Sequence, residues 1–419
     1  MRAPLPGPAG IVLLCLLTAP AGAAAPASQP ALGVPPAEAA PVLTAKSAIL
    51  LEAVTGTVLY EKHADEPIPP ASLTKLMTIH LALREIEEGR LDPSEVLVPG
   101  PDAWAKNMPP RSSVMYLGPD QKLTVEELLK GLVVDSGNDA AVEVADRVAG
   151  SVPRFVDMMN REAARLGYRT LHFVEPAGIS AANTVTARDY AGFARQFVLL
   201  HPDALKEFFS VKEFTYPLAE NLTGTNREKA VTQTNRNLLL GAYAGVDGLK
   251  TGFIDESGYN IAVTAERGGM RLIAVLLGVP DTGRVSGAAR RATESAALLD
   301  YGYDTFLLMR PGYPRPLPPR VWKGTARTVA LRVSPTPFVV VRKDQAGQVK
   351  TTLLQDLDVE APVSPGEDLG AVLVTRGSQE IARFPLVADA EVRRGGFLRT
   401  ALDSVILFLR GIRPLRSGV

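Results

Sequence analysis

Apolar residues recur along this chain at two spacings, and each predicts its own kind of element. Ala48-Ile49-Leu50-Leu51-Glu52 and Val58-Leu59-Tyr60-Glu61 flank a turn at Thr55-Gly56, the pattern of a β-hairpin. After Pro69-Pro70 the spacing lengthens: Leu73, Leu76, Met77 and Leu83 share one face of a helix. Helical patterns lie near residues 76–89, 124–133 and 139–149, and the polar, Pro- and Gly-rich stretch 99–120 is predicted to wall a cleft. Two further strands, residues 259–265 and 271–277, are joined by the turn Gly268-Gly269. Beyond Tyr303, Pro311, Pro314, Pro316, Pro318 and Pro319 mark a boundary. The short runs 328–333, 338–341, 349–354, 371–375 and 381–387 then predict a small β-sandwich over residues about 312–392.

The last segment returns to helical spacing. Phe397, Ala401, Leu402, Val405, Leu409 and Ile412 form one face, and Arg399, Asp403 and Arg410 another. From Arg393 onward six arginines stand against one aspartate, a net charge of +5. A basic amphipathic helix over residues 396–414, too short and charged to span a bilayer, is expected to lie in an anionic membrane surface. The alternative is a terminal helix packed on its own domain.

Composition excludes more than it selects. The 419 residues, 46% of them hydrophobic, suffice for two or three domains, and 45 basic against 45 acidic residues give no pull toward nucleic acid. Four histidines (His63, His80, His172, His201) are scattered without ligand spacing, so no metal site is expected. The only cysteine, Cys15, falls in an export signal over residues 1–23: Arg2, the apolar run 11–17 and the small-residue site Ala21-Gly22-Ala23. Cleavage there leaves a chain without disulfides, beginning with a disordered Ala/Pro-rich linker over residues 24–41.

Three short motifs carry candidate chemistry. In Ser72-Leu73-Thr74-Lys75 the serine opens a helix, where the dipole favours developing negative charge, and Lys75 shares its face at i+3. Burial lowers a lysine pKa, and a neutral amine beside a hydroxyl activates it as a nucleophile. Ser136-Gly137-Asn138 sits on a loop entering the helix at 139–149, and Lys250-Thr251-Gly252 lies on or beside a strand, where glycine admits close approach. Taken singly, these are a helix cap, a turn and an edge lysine.

Taken in order, S-x-x-K, S-x-N and K-T-G are the signature of penicillin-recognising serine enzymes. With the flanking Ala71-Ser72-Leu73-Thr74-Lys75-Leu76-Met77-Thr78, Ser136-Gly137-Asn138-Asp139-Ala140 and Asp247-Gly248-Leu249-Lys250-Thr251-Gly252, the chain resembles the low-molecular-mass penicillin-binding proteins that act as D-alanyl-D-alanine carboxypeptidases, peptidase family S11, over residues 45–412. The resemblance implies an α+β fold: a penicillin-binding/β-lactamase-like transpeptidase domain (antiparallel sheet with helices, residues 42–308), a small all-β sandwich and the C-terminal amphipathic helix. It implies Ser72 as nucleophile, Lys75 as general base and Ser136 as proton relay to the leaving amine. Asn138 would hold the substrate backbone, with Lys250, Thr251, Gly252 and Arg284 around its carboxylate. The backbone N–H groups of Ser72 and Phe253 would form the oxyanion hole.

Expected partners are peptidoglycan stem peptides, β-lactam antibiotics and the membrane surface, at the periplasmic face of the bacterial cytoplasmic membrane, with no cofactor. Phe253 stands where similar proteins often carry His. Glu175-Pro176 resembles the deacylating glutamate of class A β-lactamases, although Ala177-Gly178-Ile179 departs from that pattern. Asp281-Thr282-Gly283 occurs once, whereas aspartic proteases need two carboxylates, and reads as a turn. A β-lactamase, a DD-endopeptidase and an idle peptidoglycan-binding scaffold remain alternatives.

Overall fold

The structure, a computed structural model, describes residues 40–411 and the backbone of 415–416. The export signal, most of the linker and Ile412 lie outside the described residues.

Five antiparallel strands form the central sheet, in the spatial order Val58–Lys62, Ser47–Glu52, Met270–Val279, Gly258–Arg267, Val246–Ile254. The inner strands read as near-continuous apolar runs because both faces are covered. Ile49, Leu51, Ile273, Val275 and Leu277 enter a core beneath the helices Lys75–Glu87, Asn138–Ala149, Val152–Arg165 and Ala187–Leu200. Their neighbours Leu50, Leu272, Ala274 and Leu276 point the other way, into a core shared with Leu298 and Leu299 of the helix Gly287–Thr305.

The same alternation aims the edge strand. Lys250 pairs with Ala262, which belongs to the helical-side core, so its side chain faces the helices. The start of that strand is held by Arg271, whose two terminal nitrogens each meet an oxygen of Asp247 at 2.8 Å.

The helix carrying Lys75 is entered through a 3₁₀ turn, Ala71–Thr74, that follows the two prolines. Behind Lys75 on that helix, His80 contacts His201 at 2.8 Å and Glu162 at 2.8 Å, and Arg84 donates to Glu162 at 2.7 Å. Sequence spacing concealed this: helices far apart in the chain bring two of the scattered histidines into one buried ionic network. Among the described residues, no group of three or more His, Cys, Asp or Glu is arranged to hold a metal.

The second unit is all-β. Its first strand, Phe306–Met309, precedes the prolines and pairs with Val339–Arg342, so the second sheet structure begins earlier than the proline run suggests. Two three-residue strands, Arg320–Trp322 and Asp358–Glu360, pair in parallel and are too short to show alternation in the sequence. The remaining sheet runs Leu331–Val333, Gln379–Ala388, Asp368–Arg376, Val349–Gln355.

The terminal helix spans Phe397–Arg410 and closes on Gly411, whose φ of +63° is the left-handed cap that ends helices. Asp403 is not on an outward polar face. It is buried, accepts the Lys323 backbone N–H at 2.7 Å and pairs with Arg399 at 3.0 Å. Together with Leu407 it fixes the inner side, leaving Phe397, Leu398, Leu402, Val405, Phe408 and Leu409 exposed. No described helix is long and apolar enough to cross a membrane.

We expect Asp403→Ala, which removes the buried acceptor of the part-buried Lys323 N–H, to lower stability by about 1–3 kcal/mol in chemical denaturation while leaving the Ser72 site functional.

Candidate active site

Three segments far apart in sequence meet around the Ser72 hydroxyl. The 3₁₀ turn presents Ser72, and the next helical residue, Lys75, places its Nζ 3.0 Å from Ser72 Oγ. Lys75 Nζ also donates to Asn138 Oδ1 at 2.7 Å and to the carbonyl of Ala177. Ser136 caps a π-turn over Gly131–Asp135 and adopts a left-handed conformation, φ +59°. That turn brings its Oγ to 2.9 Å from Lys250 Nζ.

The 99–120 loop is tied to this corner. The Ser113 carbonyl accepts the Asn138 N–H at 2.8 Å, and Asp139 takes the N–H groups of Met115 and Leu117, each at 3.0 Å.

Two glycines set how closely the segments approach. A Cβ on Gly252 would lie 2.9 Å from both Pro70 O and Ser72 N, and one on Gly178, at φ +81°, only 1.9 Å from Ala71 O. Arg291, itself buried, holds the strand end by donating to the Gly252 carbonyl at 3.0 Å and the Asn260 carbonyl at 3.3 Å. Phe253 follows, half-exposed and tilted against Tyr259 with ring centres 4.4 Å apart.

Both lysines are buried, and burial penalises their charged forms. Lys75 is pulled down to about 7, against upward pulls from Glu175 and Asp139 and a further downward one from Arg236. Lys250 lies well below its usual range because of burial first, then the charges of Lys75, Arg236 and Arg291. Burial also pushes Asp135 up to about 8, with the Asp139 charge adding to it.

A neutral amine has two N–H bonds and one lone pair. Asn138 Oδ1 and Ala177 O can only accept, so they take both N–H bonds of a neutral Lys75 and turn its lone pair toward the Ser72 hydroxyl. A lysine so arranged can remove a proton from that hydroxyl.

The structure thus brings together Ser72, Lys75, Ser136, Asn138, Lys250 and Gly252, with buried Thr251 between the last two. Arg284 is not joined to them: it is exposed on the loop after Val279 and makes no hydrogen bond or ion pair with a described residue. The arginine whose charge reaches both lysines is Arg236. It carries no motif, and its one sequence signal is the polar triplet Asn235-Arg236-Asn237, whose Asn237 donates to the Gly248 carbonyl at 3.3 Å.

Residues 35–281 match the family model described as D-alanyl-D-alanine carboxypeptidase. The chain belongs to that family. Residues 304–394 match a second one, the penicillin-binding protein 5 C-terminal domain. Among the family's characterised members, D-alanyl-D-alanine carboxypeptidase DacC of Escherichia coli (strain K12) is 34% identical over 88% of this chain and 89% of its own. The solved structure of penicillin binding protein 5 from Haemophilus influenzae superposes with a TM-score of 0.75 at 30% identity, covering 86% of this chain and 100% of that one. Penicillin-binding protein D2 from Listeria monocytogenes, solved in an ampicillin-bound form, covers 62% of this chain and 98% of its own at 29% identity and a TM-score of 0.52.

The Ser72 turn depends here on close backbone packing at Gly178. Replacement by Ala is expected to cost at least about 2 kcal/mol and to slow acylation of Ser72, read by thermal denaturation and by the rate of penicillin labelling.

Proposed function

We propose that the chain is a serine-type D-alanyl-D-alanine carboxypeptidase that removes the terminal D-alanine of peptidoglycan pentapeptides through a Ser72 acyl-enzyme, and that β-lactams acylate the same serine. The observation that carries this reading is the orientation of Lys75, a buried amine near neutrality whose lone pair is directed at Ser72 Oγ by two obligate acceptors.

In the proposed reaction Lys75 accepts the Ser72 proton as Oγ bonds to the carbonyl carbon of the scissile peptide. The oxygen that gains charge faces the backbone N–H groups of Ser72 and Phe253, brought together by the close packing of Gly252 on the Ser72 turn. The C–N bond then breaks as Lys75 returns its proton by way of the Ser136 hydroxyl to the departing D-alanine amine, which leaves Lys75 neutral and Ser136 protonated. Water gives a proton to Lys75 as its oxygen bonds to the acyl carbonyl carbon, the ester C–O bond breaks and that proton passes to Ser72 Oγ.

With Oδ1 of Asn138 committed to Lys75, its Nδ2 is left for the substrate's backbone carbonyl. Lys250 and Thr251 receive the terminal carboxylate, which supplies the counter-charge that burial denies Lys250. Arg236 contributes positive field there, and Arg284, exposed on its loop, is a further contact for the same group.

We further propose that the protein is exported and rests on the periplasmic face of the cytoplasmic membrane through its terminal helix. Phe408 and Leu409 of that helix are 86% and 75% exposed, far more than large apolar side chains in a packed terminal helix.

Benzylpenicillin mixed with the mature protein should give a covalent adduct that persists for minutes, absent in Ser72→Ala, and the wild type should release D-alanine from a pentapeptide. Rapid loss of the adduct with hydrolysed drug would indicate a β-lactamase, and no adduct an idle scaffold. Lys75→Ala should slow acylation by roughly 100- to 10,000-fold.

The base acts as the neutral amine, so acylation should reach its plateau well above pH 7, be half-maximal at about pH 7 and fall as pH drops through that value. Replacing Phe408 and Leu409 by Glu should abolish flotation with anionic vesicles and leave D-alanine release intact.

A further inference from the structure

Glu175 lies in the turn that supplies one of the two acceptors on Lys75, and its carboxylate is almost wholly engaged within that turn. One oxygen accepts the N–H of Gly178 at 2.7 Å, Ile179 at 2.8 Å and Ser180 at 3.2 Å, together with Nδ2 of Asn183 at 2.8 Å. The other accepts the Ala177 N–H at 2.7 Å. Four successive backbone donors are gathered on one side chain, so the backbone from 177 to 180 wraps around it.

Wrapping in this way turns two carbonyls outward, toward the Ser72 helix. Pro176 O accepts from Thr78 Oγ1 at 2.7 Å, and Ala177 O accepts from Lys75 Nζ. Asn183 bridges the turn to the same helix start by donating to Thr74 Oγ1 at 3.1 Å. Gly178 seals the contact by sitting directly on the Ala71 carbonyl.

A carboxylate whose lone pairs are committed to five donors has little capacity to activate a water. Its negative charge still acts on the amine in front of the turn.

We propose that Glu175 is a positioning residue for Lys75: it folds the 175–180 turn that delivers the Ala177 carbonyl to the amine, and it places a negative charge behind that carbonyl. This rests on Lys75 serving as the base.

The amine is also faced by Asp139 from the start of the Asn138–Ala149 helix, by Arg236 from the segment before the edge strand, and by Lys250 from that strand. Burial first, and then the Arg236 charge, hold the Lys75 pKa down, while Glu175 and Asp139 hold it up. Removing the Glu175 charge therefore lets the amine stay neutral to lower pH.

The test compares Glu175→Gln, which keeps the size and loses the charge, with Glu175→Asp, which keeps the charge on a shorter arm. In Glu175→Gln the acid limb of penicillin acylation should move to lower pH by up to about one unit. Its plateau rate should fall by roughly tenfold or more, as the Ala177 carbonyl loses its place. Glu175→Asp should lower the plateau and leave the limb near its wild-type position.

A limb that stays fixed in Glu175→Gln, with only the plateau or melting temperature reduced, overturns the proposal and leaves Glu175 as turn scaffolding. Direct titration of Lys75 gives a readout that needs no catalysis. Its ¹³Cε resonance in labelled protein, identified by its loss in Lys75→Ala, should have a lower midpoint in Glu175→Gln than in wild type. An equal midpoint refutes the charge coupling even if the wild type forms no penicillin adduct, whereas that missing adduct would count against the carboxypeptidase reading alone.

Discussion

Removing a lysine amine from water is costly unless it is paired or neutral, and much of this catalytic domain is arranged around that cost at Lys75. The amine has no exposure, and the polar groups bonded to it are a hydroxyl, an amide oxygen and a backbone carbonyl, none of them charged. The nearby carboxylates of Glu175 and Asp139 act through their fields while their oxygens are spent on backbone N–H groups. Neutrality, which burial favours, is the state in which the amine is a base. Structure and chemistry therefore favour the same protonation state, and burial draws the amine toward it.

Keeping that arrangement requires the segments around Lys75 to stay in register. The sheet does this from one side: its edge strand is fixed at its start by Arg271 on Asp247 and at its far end by Arg291 on the carbonyls of Gly252 and Asn260. The helices do it from the other. His80, one and a half turns beyond Lys75, is tied to His201 and Glu162 on two other helical segments, with Arg84 and Arg165 closing the network at the surface. A buried polar cluster of this kind tolerates few alternative packings, since a shift would leave a charge without its partner.

The terminal helix obeys the same logic in reverse. Its one acidic side chain is turned inward, beside Leu407, to meet a backbone N–H of the β-unit, and six large apolar residues from Phe397 to Leu409 are turned out. That exposed apolar face, on a segment rich in arginine, is what supports the proposed docking to an anionic membrane surface.

How much of this was legible beforehand depends on the range over which each feature is determined. The Ser72 turn, the entry to the Asn138–Ala149 helix and the Gly268-Gly269 hairpin follow from neighbouring residues, through prolines, caps and a turn that needs positive φ, and all were readable in order. The family resemblance and the identity of Ser72, Lys75, Ser136 and Lys250 came from the same local motifs.

Contacts between distant segments were not readable. Arg236, the His80–His201 pair, the inward turn of Asp403 and the commitment of the Glu175 carboxylate to its own turn depend on partners tens to more than a hundred residues away, or on a backbone path that only packing selects. Sequence patterns record what each residue prefers next to its neighbours. Which charges share a buried volume, and hence which amine is a base at neutral pH, is decided by the tertiary structure, because the cost of burial exists only once the chain has closed around it.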